Sequence, residues 1–219
     1  MSSQAIAPPN MLAAEPCFAS PIFTFEVADA EALNQALMRD IEAYRQAAEG
    51  MNRSNQHGWH SPTDFFRRPE ASFQALAQQI NSAVAMATRQ VSPKLDLSQR
   101  LYKMQGWINV NPPGAYNTPH AHPDHEWSGS YYVKVPDVPP GSRSGGIEFL
   151  DPRGIIQQME GLSSPHFVPK IRKMPKAGTM LVFPSYLRHW VYPNEQDDIR
   201  ISIAFNTKFV LKEEVPLKP

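Results

Sequence analysis

Trp127-Ser128-Gly129-Ser130-Tyr131-Tyr132-Val133 reads as a strand, and just ahead of it stands Pro119-His120-Ala121-His122-Pro123-Asp124. A third histidine lies far along the chain in a second strand-like run, Ser185-Tyr186-Leu187-Arg188-His189-Trp190-Val191. Arg200 follows His189 after ten intervening residues, in Ile199-Arg200-Ile201-Ser202-Ile203-Ala204-Phe205. Side chains at i and i+2 of a strand leave the same face. His120 with His122, or His122 with Asp124, can therefore offer two ligands to one ion. His189 can add a third from a strand that folds back beside the first. Two His and a carboxylate on one side of a metal, with open positions opposite, suit non-haem Fe(II) chemistry with oxygen. Arg200 is then placed to pair bidentately with a carboxylate on a bound co-substrate. Alone, a His-x-His is commonly a solvated turn and a strand Arg a solvated or ion-paired residue. The order of all four residues and the strand context at each end carry the metal-site reading.

Working outward, Pro21-Ile22-Phe23-Thr24-Phe25-Glu26-Val27 alternates as a strand does. Asp29 is placed to cap a helix from Ala30 to Glu49, with Leu33, Leu37, Ile41 and Tyr44 on its core face and Gly50 as its stop. A polar loop is expected from Met51 to Pro62. A second helix is predicted from Pro69 to about Gln90, with Phe73, Leu76, Ala77, Ile80 and Val84 as its apolar stripe and Met86 filling the same core. From Leu101 the period becomes two. Short strands follow at 102–110, 130–135, 146–149, 167–171, 179–183, 189–192 and 200–209, separated by Pro- and Gly-rich turns. Such a pattern after a helical front section predicts a mainly β, α+β fold: a jelly roll or barrel with two N-terminal helices packed on one sheet. The loop from Asp151 to Pro165 is long and aperiodic, and is read either as a substrate lid or as an ordinary connection.

Composition narrows the function. With 219 residues the chain suits a single domain, divided into an arm at 1–20, strand and helical support at 21–95, and a β core carrying the metal site at 96–210. Lys plus Arg balance Asp plus Glu at 21 each, so no basic excess advertises nucleic acid or an anionic membrane. Cys17 is the only cysteine, which excludes an intrachain disulfide and fits a reducing cytoplasm. The N-terminal residues lack a basic start and an apolar run, so no signal peptide is expected, and no stretch is apolar enough to span a membrane. The 22 prolines, about twice the usual share, fit many turns between short strands. A homodimer is the default assembly.

The chain resembles the 2-oxoglutarate and Fe(II)-dependent oxygenases of double-stranded β-helix fold, closest to a bacterial branch with a His-x-His-Pro element and a Ser-Gly-x-Tyr-Tyr-Val strand. The resemblance covers roughly residues 104 to 207. It rests on Trp107-Ile108-Asn109-Val110-Asn111, Pro119-His120-Ala121-His122-Pro123, Ser128-Gly129-Ser130-Tyr131-Tyr132-Val133, Gly145-Gly146-Ile147-Glu148-Phe149, and the run from Pro175 to Ser185 with His189 and Arg200-Ile201-Ser202 beyond it. The commoner pattern in the superfamily is His-x-Asp with a distal His. In the branch resembled here the paired His recurs, so His120, His122 and His189 are the expected ligands and Asp124 the alternate carboxylate. A three-His site holds Fe(II) less firmly than one with a carboxylate, and also suits zinc or another divalent ion.

The resemblance implies an enzyme that hydroxylates a small molecule or peptide with O2 while 2-oxoglutarate is converted to succinate, with ascorbate as an accessory reductant. Arg200 would bind the far carboxylate of 2-oxoglutarate, with Ser202 beside it on the same strand face. Strand alternation turns one of Tyr131 and Tyr132 inward. Tyr131 is the expected co-substrate contact, with aromatic core packing of both as the other reading. Asn109, Asn117 and Asn206 are candidate polar lining, since an inward Asn in an apolar strand requires a partner. His57, His60, His125 and His166 are not expected to be ligands, and Arg153 is read as a loop residue with a salt-bridge role. Two alternatives keep the barrel: a cupin-like metal enzyme without 2-oxoglutarate, and a non-catalytic metal- or ligand-binding module.

Overall fold

From Arg200 to Leu211 a single strand is buried on both faces over most of its length, and the architecture follows from what it separates. In the computed structural model, residues 11–13, 18–154, 164 and 168–212 are described. Strands β1 (Phe23–Glu26), β3 (Trp59–His60), β4 (Arg100–Asn111), β6 (Trp127–Lys134), β9 (Thr179–Pro184) and β11 (Arg200–Leu211) form a six-stranded sheet in the order β1-β9-β6-β11-β4-β3. Strands β2 (Asn55–Gln56), β5 (Tyr116–His120), β7 (Ile147–Leu150), β8 (Lys170–Lys173) and β10 (His189–Val191) form a five-stranded sheet in the order β2-β5-β10-β7-β8. All the strand pairs are antiparallel.

Alternation divides the six-stranded sheet. Ile201, Ile203 and Phe205 of β11, with Trp127, Tyr131 and Val133 of β6, face helices α1 (Ala30–Ala47) and α2 (Ala71–Val91). Phe73, Leu76, Ile80 and Val84 of α2 are fully buried there, each stabilising the packing by about 1.5–3 kcal/mol. Hydrogen bonds fix the helices on the sheet: Tyr131 Oη donates to Asn34 Oδ1 at 2.7 Å, and Trp127 Nε1 to Thr88 Oγ1 at 2.9 Å. The opposite face meets the five-stranded sheet, where Tyr132, Leu181 and Phe183 pack against Ile147, Phe149 and Val191. None of the helices among the described residues is long and apolar enough to cross a membrane.

Several expectations need correction. Asp29 sits at the N-cap of α1, but in the left-handed region (φ 51°) and with no side-chain capping bond. The helix ends at Ala47, before Gly50. The stretch 51–62 is not a plain loop, because β2 and β3 extend the edges of both sheets. Met86 does not fill the core but is 56% exposed, since it lies off the stripe marked by Phe73, Ile80 and Val84. The strand expected at 167–171 lies at Lys170–Lys173. Cys17, His166, Phe167 and most of the 151–165 loop lie outside the described residues.

Gly129 faces the helical side of β6, where the Phe205 ring crosses it. An added Cβ would stand 2.2 Å from Phe205 Cζ and 2.5 Å from the Leu181 carbonyl oxygen. Backbone cannot yield there as a flexible side chain does. Gly129→Ala is expected to destabilise the fold by about 1–3 kcal/mol or more, read as a lower denaturant midpoint in equilibrium unfolding.

Candidate metal centre

His120 is the last residue of β5 and His189 the first of β10, and the two are register partners across the antiparallel pair. His122 is not on the strand. It lies two residues past the end of β5, and its backbone N–H donates to the Ser185 carbonyl at 3.1 Å, which anchors it to the β9–β10 turn. The three rings converge, with centroids 4.5 Å apart for His120 and His189, 4.9 Å for His120 and His122, and 5.4 Å for His122 and His189. One potential ligand atom from each lies within 4.8 Å of the other two. Metal–nitrogen bonds of about 2.1 Å to ligands on one side of an ion set the nitrogens about 3.0–3.4 Å apart, so closure on an ion draws the widest pair in by up to about 1.4–1.8 Å.

The tautomers suit ligation. His120 Nδ1 lies 2.7 Å from the Thr118 carbonyl and His189 Nδ1 2.8 Å from the Leu187 carbonyl. A carbonyl only accepts, so each Nδ1 carries the hydrogen and each Nε2 keeps its lone pair. The His122 ring lies 5.5 Å from that of Trp107, which in turn stacks on His60. Burial lowers the pKa of all three rings, and repulsion from neighbouring imidazoles adds to it at two of them: His122 falls to about 3 and His189 to about 4, with His120 lowered by burial alone. At neutral pH they are uncharged donors, the form a metal requires. The alternate carboxylate is placed differently. Asp124 is exposed, holds φ at 71° in the turn that leads to β6, and is outside the converging group.

The same pocket continues between the sheets to Arg200, Ser202 and Asn109. Arg200 is 2% exposed; its Nη1 donates to Ser202 Oγ at 3.1 Å, its Nε has no partner, and its Cζ lies 5.2 Å from the Tyr132 ring centroid. Burial lowers the guanidinium pKa, but an Arg retains its charge in such a site. Asn109 Oδ1 and Tyr132 Oη are also buried without hydrogen-bond partners. Buried polar atoms are normally satisfied, so this cluster of orphans around a buried cation fits an absent polar ligand. An anionic co-substrate between the three imidazoles and Arg200 is therefore compatible with the residues present.

Tyr131 is not in this pocket. It points to the helices and donates to Asn34, whereas its neighbour Tyr132 faces Arg200. The register decides it: Tyr131 pairs with Ile203 on the helical face, and Tyr132 with Ser202 on the pocket face. Asn117 lines the pocket, while Asn206 Oδ1 accepts from Ser128 Oγ at 2.7 Å. Trp107 and Ser54 are lining residues that the sequence reading did not single out. Trp107 lies two positions before Asn109 on β4 and was accessible to the strand period; Ser54, in a loop, carried no signal. His60 bonds the Ser61 carbonyl through Nδ1, His125 that of Pro123, and His57 packs by Tyr116. Arg153 pairs with Asp151 at 2.7 Å.

Residues 105–206 match the family model described as "Putative 2OG-Fe(II) oxygenase", 2OG being 2-oxoglutarate. No curated protein matches the sequence. Among solved structures, a Pseudomonas putida prolyl-4-hydroxylase is similar with 16% identity, a TM-score of 0.59, and coverage of 85% of this chain and 91% of that one. A Trichoplax adhaerens prolyl hydroxylase, solved with a hypoxia inducible factor peptide fragment, has 11% identity, a TM-score of 0.61, and coverage of 85% and 83%. HygX from Streptomyces hygroscopicus, solved with nickel, 2-oxoglutarate and hygromycin B bound, has 9% identity, a TM-score of 0.60, and coverage of 86% and 83%. The two facing sheets are thus a double-stranded β-helix. The matched segment contains His120, His122, His189 and Arg200.

Two outcomes test the geometry. Unfolding restores ordinary imidazoles that bind protons below about pH 6.5, whereas folded His122 and His189 bind them only near pH 3 and 4. In that window the unfolded state holds more protons, so the melting temperature of the metal-free protein is expected to fall as pH drops from 7 to 5. A flat profile would contradict the burial of these rings. Tyr131→Phe strands Asn34 Oδ1 and is expected to cost about 1–2 kcal/mol in denaturant unfolding, with 2-oxoglutarate binding by calorimetry unchanged.

Proposed function

We propose that the protein is a hydroxylase-type Fe(II)/2-oxoglutarate-dependent oxygenase whose metal is held by His120, His122 and His189 and whose co-substrate is anchored by Arg200. The observation that carries this reading is the buried guanidinium with an unpartnered Nε in the same pocket as three neutral imidazoles. A barrel that binds only a metal has no use for a buried, unpaired cation, which is costly without an anion.

When bound, Fe(II) and 2-oxoglutarate with O2 supply the oxidising chemistry for attack on a C–H bond, with succinate and carbon dioxide as co-products. The chain's own residues position and exclude. The Thr118 and Leu187 carbonyls hold His120 and His189 in the ligating tautomer. Arg200 offers a planar fork to a carboxylate, and Ser202 fixes that fork from one side. Phe183 and Phe149 pack against His189 and keep water from that side of the ring. The substrate, a small molecule or peptide, would reach the imidazoles from the end of the barrel where β5 stops and β10 starts.

Succinate release from 2-oxoglutarate under air, with Fe(II) and ascorbate, tests this directly, because slow turnover uncoupled from substrate suffices. Wild type is expected to produce succinate. His189→Ala is expected to abolish it, and Arg200→Leu to raise the 2-oxoglutarate requirement by tens-fold or more, as loss of one partner of a buried charge pair does at roughly 2–5 kcal/mol. Full turnover in Arg200→Leu at unchanged co-substrate concentration would overturn the anchor assignment.

A further inference from the structure

None of the sixteen described residues that line the pocket is an Asp or Glu. The acids nearest in sequence are all otherwise engaged or turned outward. Glu148 is buried on the opposite face of β7, where it accepts from Tyr192 Oη at 2.8 Å and Trp190 Nε1 at 3.2 Å and pairs with Lys170 at 3.1 Å. Asp124 is exposed. Glu126 Oε2 accepts from the Phe209 N–H, and Asp198 pairs with Lys134 at 2.7 Å. Arg200 takes part in no ion pair among the described residues, and its single protein hydrogen bond goes to a neutral hydroxyl.

A divalent ion on three neutral imidazoles therefore keeps both of its charges, and it shares the pocket between the sheets with a third, that of Arg200. Where a carboxylate ligand exists, it offsets half of the metal's charge before any co-substrate arrives. Here the described lining offers no such offset, and like charges in a partly desolvated space repel. A dicarboxylate that reaches from metal to guanidinium offsets two of these three charges, one at each end. We infer that in this three-His pocket the dicarboxylate serves as the missing counter-ion, so that metal and 2-oxoglutarate load as a mutually dependent pair. This rests on the proposed function and extends it to the order and strength of assembly. Linkage makes the effect reciprocal: each partner raises the other's affinity by one and the same factor.

The test uses Co(II), whose binding is followed by visible absorption and calorimetry in the metal-free full-length protein at fixed ionic strength. Three co-ligands are compared: none, pyruvate and 2-oxoglutarate. Pyruvate can chelate through its 2-oxo acid group but lacks the distal carboxylate, so it reports chelation alone. The Co(II) dissociation constant is expected to fall by at least about 100-fold with 2-oxoglutarate, toward the upper end of ordinary coupling factors, and by less than about tenfold with pyruvate. Arg200→Met is expected to bring the 2-oxoglutarate effect down to the pyruvate level. His122→Asp, which places a carboxylate among the ligands, is expected to tighten Co(II) alone and to shrink the 2-oxoglutarate effect about tenfold. Should that variant not fold, as its melting curve would show, the pyruvate comparison in wild type still decides.

Two results would overturn the inference in distinguishable ways. If 2-oxoglutarate alters the Co(II) spectrum yet shifts the dissociation constant by less than about threefold, the mutual dependence is wrong and the proposed function stands. If Co(II) binds and millimolar 2-oxoglutarate changes neither spectrum nor heat, the functional reading itself fails, and this inference with it.

Discussion

The site depends on the two-faced burial of β11. One row of its side chains, Ile201, Ile203 and Phe205, seals the sheet against the helices, and the intervening row, Arg200, Ser202 and Ala204, lines the pocket between the sheets. A cation can be kept 2% exposed at that position only because its strand is clamped from both sides, by β4 over all twelve of its residues and by β6 over Ile201 to Thr207. The same pairing sets Ser202 beside Asn109 and Tyr132. The polar pocket is thus a consequence of register in an otherwise apolar sandwich. A one-residue slip would turn Arg200 toward the helices and put isoleucines into the pocket.

The second sheet contributes the other half through one pair, His189 opposite His120. Because these are strand ends, their rings stand where the barrel opens, and His122 can join from the following turn through its backbone bond to Ser185. Tight packing holds the histidines from behind, with Phe183 and Phe149 against His189 and Trp107 against His122. Unpartnered atoms at Arg200, Tyr132 and Asn109 are tolerated in the same space. A fold that leaves such groups unsatisfied gives up stability at a functional site.

Much of this was legible in the chain. The His-x-His pair, the distal His189 and Arg200 follow a fixed order, and period-two runs placed most of the strands of the barrel half. The failures have physical reasons. Tyr116-Asn117-Thr118-Pro119-His120 carries too little apolar alternation to announce β5, and the two-residue strands β2 and β3 are too short to show any period. Alternation said that one of Tyr131 and Tyr132 turns inward but not which one; only the partner strand settles it. His122 reached the cluster by a tertiary backbone bond and not by sharing a strand face with His120, so the i, i+2 argument pointed to a member of the converging group for an incomplete reason. The outward position of Asp124 depends on a left-handed turn residue, which spacing alone does not reveal.

The most direct test of the account is anomalous diffraction from crystals grown without oxygen in the presence of Mn(II) and 2-oxoglutarate. The expected result is one metal peak among His120, His122 and His189, with Asp124 turned away and the far carboxylate of 2-oxoglutarate on Arg200. A metal held by Asp124, or a co-substrate that leaves Arg200 uncontacted, would contradict it.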